Sequence, residues 1–463
     1  MSLWQTIICN LPEVAGPTQR KLAFKEKLKW TGIVLLLFFV LGLIPLFGLG
    51  QNALQQFEFL SVILGAEFGS IISLGIGPLV TASIVLQLLN GAGIVKFDLK
   101  TEDGKRTYQG TQKLLSIFFI LFEGAVYVLM GGLTPEMSLA GSGLYFQLEL
   151  ILIFQLFLGG LLIMFMDEIV SKWGFGSGIS LFIAAGVSKS LFIRALSPLA
   201  SPTNPEMPTG AIPALFKSVA GGDFITAALM IAAVLATILI FMLAVYGQSM
   251  KVEIPLSFGR VRGHGIRWPL AFMYTSNIPV ILVAALLANI QLWARLLERW
   301  GHPILGTFSG NSPISGLVAW VNPPQLLHKI ITGSMTIGDI GVALFYTLVM
   351  VGGAVLFSYF WVKTSGMDAE SQAKQIMSSG LQIPGFRRDP RIMERLLQRY
   401  ISPLTILGGA AIGFLAAFAD VLGSLTHGTS LLLAVMIVYK LYEEIAKQHM
   451  YDMNPMLRKF MEV

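Results

Sequence analysis

The chain has one cysteine, Cys9, in 463 residues. It can therefore form no internal disulfide and no cysteine-based zinc site. No Asn-x-Ser/Thr acceptor lacks an intervening proline, so N-glycosylation has no target. Charged residues are scarce, at 13%. The five histidines (His264, His302, His328, His427 and His449) all fall in expected loops or the tail, where they show no metal-ligand spacing and supply no buried base. There is no Gly-rich loop ending in Lys-Ser/Thr, so nucleotide chemistry has no phosphate cradle and no cofactor is implied. Met1 to Lys29 lacks a long apolar core ahead of a small-residue cleavage site; the first span is expected to serve as its own insertion signal.

What the chain has instead is apolar residues, 54% of the total, the balance of a polytopic membrane protein with room for about ten spans of ~20 residues. Ten apolar stretches can be placed: Trp30–Leu49, a broken second element ending at Asn90, Leu114–Leu133, Leu144–Met166, one from Gly178, Phe224–Tyr246, Ala271–Trp293, Ile340–Val362, Pro403–Leu425, and one from Gly428. With the N-terminus inside, 26 of the 32 Lys and Arg residues fall on inner segments, as the positive-inside rule requires. Asp167, Glu168 and Lys172 mark the return to water after span four.

The second element is too long for one span and too short for two. Ala53 to Asn90 is 38 residues, interrupted by Gly75-Ile76-Gly77-Pro78-Leu79-Val80. Its first part carries Glu58 and Glu67 and is a poor candidate for facing lipid. A part-length element beside a cavity fits, because broken helices at membrane depth line pathways or bury in protein. A second interruption, Ser276-Asn277-Ile278-Pro279, holds the corresponding place in the last five spans and points to an inverted repeat.

Candidate chemistry is thin. Gly174-Phe175-Gly176-Ser177-Gly178 has the look of a nucleophile turn, but no base accompanies Ser177, and a helix start capped by serine is the better reading. The polar residues expected within spans are Thr81, Gln87, Glu123, Asn289 and Gln291, equally suited to a pathway or to interhelical glue. Ile76 with Val80, and Ile179 with Ile183, each present one branched face at i, i+4; they fit either ordinary packing or an apolar constriction. Arg260, Arg262, Arg387 and Arg388 lie on inner loops and suit anionic lipid headgroups or an RNA surface.

The chain resembles the SecY family of archaeal type, the large subunit of the Sec protein-conducting channel. The resemblance rests on Phe24-Lys25-Glu26-Lys27-Leu28-Lys29-Trp30, Leu74-Gly75-Ile76-Gly77-Pro78, Asp167-Glu168-Ile169-Val170-Ser171-Lys172, Gly176-Ser177-Gly178-Ile179, Val252-Glu253-Ile254-Pro255-Leu256 and Ser276-Asn277-Ile278-Pro279-Val280-Ile281. It implies an all-α polytopic fold of ten transmembrane helices in two pseudo-symmetric inverted halves of five, with a part-length plug helix. The organisation it implies is a cytoplasmic amphipathic leader (1–29), an N-terminal half (30–196, plug about 54–70), an external hinge loop (197–223), a C-terminal half (224–440, with cytoplasmic loops 247–270 and 363–402) and a tail (441–463).

The same resemblance implies a pore ring of Ile76, Val80, Ile179, Ile183, Ile281 and Leu433, the last uncertain by one residue within Leu431-Leu432-Leu433. Gly75, Gly77 and Pro78 would hinge the plug. Thr81, Glu123 and Asn289 would form the polar cluster of a lateral gate, and Arg260, Arg262, Arg387 and Arg388 would meet a ribosome or motor. Implied partners are a small single-span subunit of SecE type, with or without a second small subunit, the ribosome, signal sequences with nascent polypeptides, and lipid. The implied location is the plasma membrane, with both termini cytoplasmic. A passive polypeptide channel is the first expectation, a secondary transporter with inverted repeats the second, which would depend on Glu123, and an intramembrane hydrolase using Ser177 the third.

Overall fold

A computed structural model describes residues 10–18, 22–52, 65–91, 94–95, 97, 101–139, 142–200, 207–258, 265–275, 278–309, 312–378, 381–382 and 389–453. The first helix, α1 (Phe24–Leu43), starts within the basic leader and stops ahead of Pro45, which disfavours helical backbone in the residue before it. The expected span Trp30–Leu49 is thus shifted toward the N-terminus by about one and a half turns. A two-stranded pair follows, β1 (Gln51–Asn52) with β2 (Leu133–Thr134).

Residues 65–76 are a chain of tight turns. Ser70 N donates to Glu67 O, Ser73 N to Ser70 O, Gly75 N to Ile72 O and Gly77 N to Leu74 O. Ser70 and Ser73 hydroxyls donate to Glu67 O at 2.7 and 3.2 Å. Irregular backbone is thereby satisfied from within, as it must be away from water. Of the expected plug only residues 65–70 are described, and they form turns; 54–64 lie outside the described residues. Gly75 alone of the expected hinge trio has positive φ, at 54°, and the chain then enters α2 (Gly77–Gly91) with Pro78 in its first turn, where a proline costs no hydrogen bond.

Three long helices complete the first half: α3 (Glu102–Leu129), α4 (Gly143–Trp173) and α5 (Gly178–Leu196). At 31 residues, α4 is about 46 Å long and overshoots a ~30 Å hydrocarbon layer. Its adjacent glycines let neighbours in. A Cβ at Gly159 would meet the Ile71 carbonyl at 1.9 Å, and one at Gly160 would meet Ile120 Cγ2 at 2.4 Å. The turns before α2 are therefore pressed directly onto α4, an instance of small residues permitting close approach.

The connection after α5, expected as a loop, contains a helix, α6 (Ala211–Gly221), before α7 (Phe224–Ser249). The basic loop that follows is likewise structured. β3 (Lys251–Phe258) pairs antiparallel with β4 (Gly265–Ala271), so α8 begins at Ile278 and runs to Arg299, seven residues later than expected. A short hairpin, β5 (Phe308–Ser309) with β6 (Ser312–Pro313), and two short helices, α9 (Gly316–Val321) and α10 (Leu326–Ile331), precede α11 (Ile337–Thr364).

Next come α12 (Ala369–Ser378) and β7 (Leu381–Gln382), which adds to β3. Thereafter α13 (Pro390–Leu422) starts thirteen residues before the expected Pro403 and carries that proline inside it. The cause is local: Asp389 caps the helix by accepting from Arg391 N, and Pro390 takes the first position. The last helix is α14 (Gly428–Met453).

Among the described residues α3, α4, α5, α7, α8, α11 and α13 are long and apolar enough to cross a membrane. With α1, α2 and α14 they make ten membrane helices. One core cluster joins α1, α2, α5, α8, α11 and α14. A second joins α3, α4 and α8, and a third packs β3, β4, α12 and the protruding start of α13.

Candidate functional site

The six aliphatic residues expected at a constriction come from four helices and one turn, and all six belong to or pack on one buried cluster. Ile76, Val80, Ile183, Ile281 and Leu433 are each at most 5% exposed and share one cluster; Ile179, half-buried, packs against it. Leu431 and Leu432 belong to the same cluster, so burial leaves the α14 register undecided. The two halves meet here from opposite sides, α2 against α8 and α11, and α5 against α14.

A cavity of about 910 Å3 ends on this cluster. Val80, Ile179 and Ile281 are among its lining, with Ser83, Gln87, Gln109, Gln112 and Ser180 on the walls. Its lining also includes Lys105, in the first turn of α3, and Lys374, on α12. A polar-walled space therefore narrows onto branched aliphatic carbon, which offers water no hydrogen bonds and resists wetting.

The turns of residues 65–76 lie on the other side. A Cβ at Gly65 would sit 3.5 Å from Phe182 and 3.8 Å from Ile76. Glu67 forms an ion pair with Lys189, toward the far end of α5, and the Phe68 and Tyr127 rings lie 6.5 Å apart.

Thr81, Glu123 and Asn289 form one cluster linking α2, α3 and α8. Thr81 Oγ1 donates to Glu123 Oε1 at 2.9 Å and accepts from Asn289 Nδ2 at 3.1 Å. Thr81 Oγ1 is also 2.9 Å from Gly77 O, so its single proton must choose between two acceptors. Glu123 Oε2, Asn289 Oδ1 and the nearby Tyr127 hydroxyl are buried without partners among the described residues. Tyr127, one turn after Glu123 on α3, was missed in the sequence, where an aromatic in a span carries no polar signal.

The acidic pair at the end of α4 is a correction. Asp167 is no solvated helix end: its Oδ1 accepts from Ile179 N at 2.9 Å, so it caps α5. Ser177, expected as that cap, occupies the position without a side-chain capping bond. Glu168 accepts from Val14 N at 2.9 Å and pairs with Lys113, while Lys172 bonds Glu13 and Val14 O, and Trp173 Nε1 donates to Ala15 O at 2.9 Å. The leader is thus strapped to α4. Arg260, Arg262, Arg387 and Arg388 lie outside the described residues; Gln291 lies on α8.

Comparison with known proteins agrees with this geometry. The SecY family model matches residues 70–442, and a model described as the plug domain of Sec61p matches 36–69. The chain is 46% identical over 462 residues to the protein translocase subunit SecY of Methanothermobacter thermautotrophicus, covering 99% of this chain and 98% of that protein. It is 44% identical to the same subunit of Pyrococcus furiosus, covering 97% and 96%. Among solved structures it is similar to one described as a protein-conducting channel, with TM-score 0.82, 40% identity and coverage of 97% and 98%. It is also similar to Sec61 in the canine ribosome-channel complex from the endoplasmic reticulum, with TM-score 0.79, 40% identity and the same coverage.

Proposed function

The chain belongs to the SecY family, and from that premise we propose that it is the central pore-forming subunit of a protein translocation channel. It passes unfolded secretory polypeptides across the membrane and releases transmembrane segments sideways into lipid. It is a multi-pass membrane channel subunit rather than an enzyme. The observation that supports this reading is the aliphatic cluster holding Ile76, Val80, Ile183, Ile281 and Leu433, with Ile179 packed on it, against a cavity lined in part by Val80, Ile179 and Ile281; these six form the proposed constriction.

A seal made only of branched aliphatic groups excludes ions by dewetting and offers a passing peptide nothing specific to bind. Selection of apolar segments is then a partition between channel and bilayer. Thr81, Glu123 and Asn289 bridge the side where α2 and α3 face α8 and α11, the proposed lateral gate. Gly75, Gly77 and Pro78 form the proposed joint of the plug, and the connection between α5 and α7, residues 197–223, the hinge between halves. The driving force comes from a partner, because the sequence has no phosphate-binding loop.

The partners proposed are a small single-span subunit of SecE type and, through the loops holding Arg260, Arg262, Arg387 and Arg388, the ribosome; a relative is described in a ribosome-channel complex. The basic bias of the inner segments supports a plasma-membrane orientation with both termini cytoplasmic. A transporter with inverted repeats shares the topology, but the family relationship supports the channel.

The test is crosslinking of a stalled secretory nascent chain to photoreactive probes at positions 76, 179 and 281. Crosslinks at all three are expected while the chain is in transit. Insertion without crosslinks at these positions would remove the constriction from the path.

A further inference from the structure

The two helices that face each other across the constriction from the joined side of the halves open with related sequences. Gly178-Ile179-Ser180-Leu181-Phe182-Ile183-Ala184 begins α5 and Gly428-Thr429-Ser430-Leu431-Leu432-Leu433-Ala434 begins α14, identical at four of seven positions. They start at opposite ends of the bundle. Arg194, near the end of α5, donates to Leu425 O in the turn before α14 at 3.4 Å.

The likeness continues in three dimensions. In each case the preceding helix supplies a carboxylate to the first turn: Asp167 Oδ1 accepts from Ile179 N at 2.9 Å, and Asp420 Oδ1 accepts from Thr429 N at 2.7 Å. In each case the opening glycine is jammed against the preceding helix. A Cβ at Gly178 would fall 2.5 Å from Asp167 Cα, and one at Gly428 would fall 2.0 Å from the Ala419 carbonyl carbon. Asp420 is itself pinned from a third helix, accepting from the Tyr346 hydroxyl of α11 at 2.6 Å and from the Thr429 hydroxyl.

We propose that Asp167 and Asp420 are paired positioning residues that set the height and rotation of α5 and α14 at the constriction. The physical reason is that a helix start is defined by where its unpaired N–H groups find acceptors. An acceptor fixed on a neighbouring helix admits one starting position. A slip of one residue would rotate the helix by about 100° and move it ~1.5 Å, carrying Ile179 and Ile183 off the constriction together. In α5 the held N–H belongs to a constriction residue, Ile179.

This inference rests on the constriction reading, and the experiment separates the two. The channel, purified with its partner subunits, is placed in vesicles, and potassium efflux at rest is measured beside transport of a model precursor. Asp167→Ala and Asp420→Ala are expected to raise the leak about 2- to 30-fold, the range spanned by loss of a helix cap. Asp167→Asn keeps the Oδ1 acceptor of the Ile179 N–H and should seal nearly as the parent does.

If the alanine variants fail to assemble, Asp167→Glu and Asp420→Glu keep the charge but displace the acceptor by one methylene, and they should leak. Tight alanine and glutamate variants, or an Asp167→Asn variant as leaky as Asp167→Ala, overturn the positioning role. Ile281→Ser in the same vesicles is the reference. If it leaks while the aspartate variants seal, only the positioning proposal fails; if it also seals, the constriction reading fails with it.

Discussion

Asn289 on α8 donates to Thr81 on α2 at 3.1 Å, a hydrogen bond between the two halves of the molecule. An interhelical bond of this kind in a membrane contributes about 0.6 to 2 kcal/mol. Asn289→Ala should shift the closed-to-open balance by roughly threefold or more toward opening. The check is export of a precursor with a weakened signal sequence, expected to rise. An unchanged or lower level would show that the cluster does not hold the halves together.

In the proposed joint, Gly75 is held in left-handed backbone, at φ 54°, where a side chain costs about 1–2 kcal/mol. Gly75→Ala should therefore destabilise the closed arrangement. Gly77, at the start of α2 without positive φ, should tolerate alanine. Thermal unfolding in detergent should separate the two variants, and equal midpoints would sink the distinction.

Tyr346 donates to buried Asp420 at 2.6 Å, and a hydrogen bond to a charged group contributes about 1.5–3 kcal/mol. Tyr346→Phe should lower the unfolding midpoint modestly. Asp420→Ala should lower it further, because it leaves the Thr429 N–H and the Tyr346 hydroxyl without their acceptor, and the Thr429 hydroxyl with only the Ala416 carbonyl at 3.3 Å. The order of the two midpoints is the measurement.

Lys172 beside Glu13 holds that carboxyl below the ordinary glutamate value of 4.5. A depressed docked value means the free leader takes up a proton first as the pH falls. The contribution to docking is therefore present above pH 4.5 and lost as the pH drops through the docked value. Glu13 is largely exposed, so the effect is small. Hydrogen exchange at the Val14 amide, corrected for intrinsic rate, should speed up on acidification in the parent and be faster already at neutral pH in Glu13→Gln. If Glu13→Gln exchanges no faster than the parent at neutral pH, the pair does not hold the leader.

The order of the ten helices was legible in the sequence because lipid demands long apolar runs; the basic bias of alternate loops is the basis for the orientation proposed. Ile76 with Val80 and Ile179 with Ile183 were legible as faces, since i, i+4 spacing survives whatever packs against it. The structured inner loops were not. β3 pairs with β4 and β7 across intervening chain, and strand pairing between distant segments leaves no local signature.

The sequence by itself determined that this is a membrane protein of ten helices with a break before Pro78, because each follows from local composition and backbone stereochemistry. Only the tertiary structure decided that aliphatic residues from α2, α5, α8 and α14 share one buried cluster, and that Asp167 caps α5 where Ser177 was expected to. Both depend on which helix stands beside which. A carboxylate eleven residues ahead of a helix start becomes its cap only when the turn folds back and brings the two together.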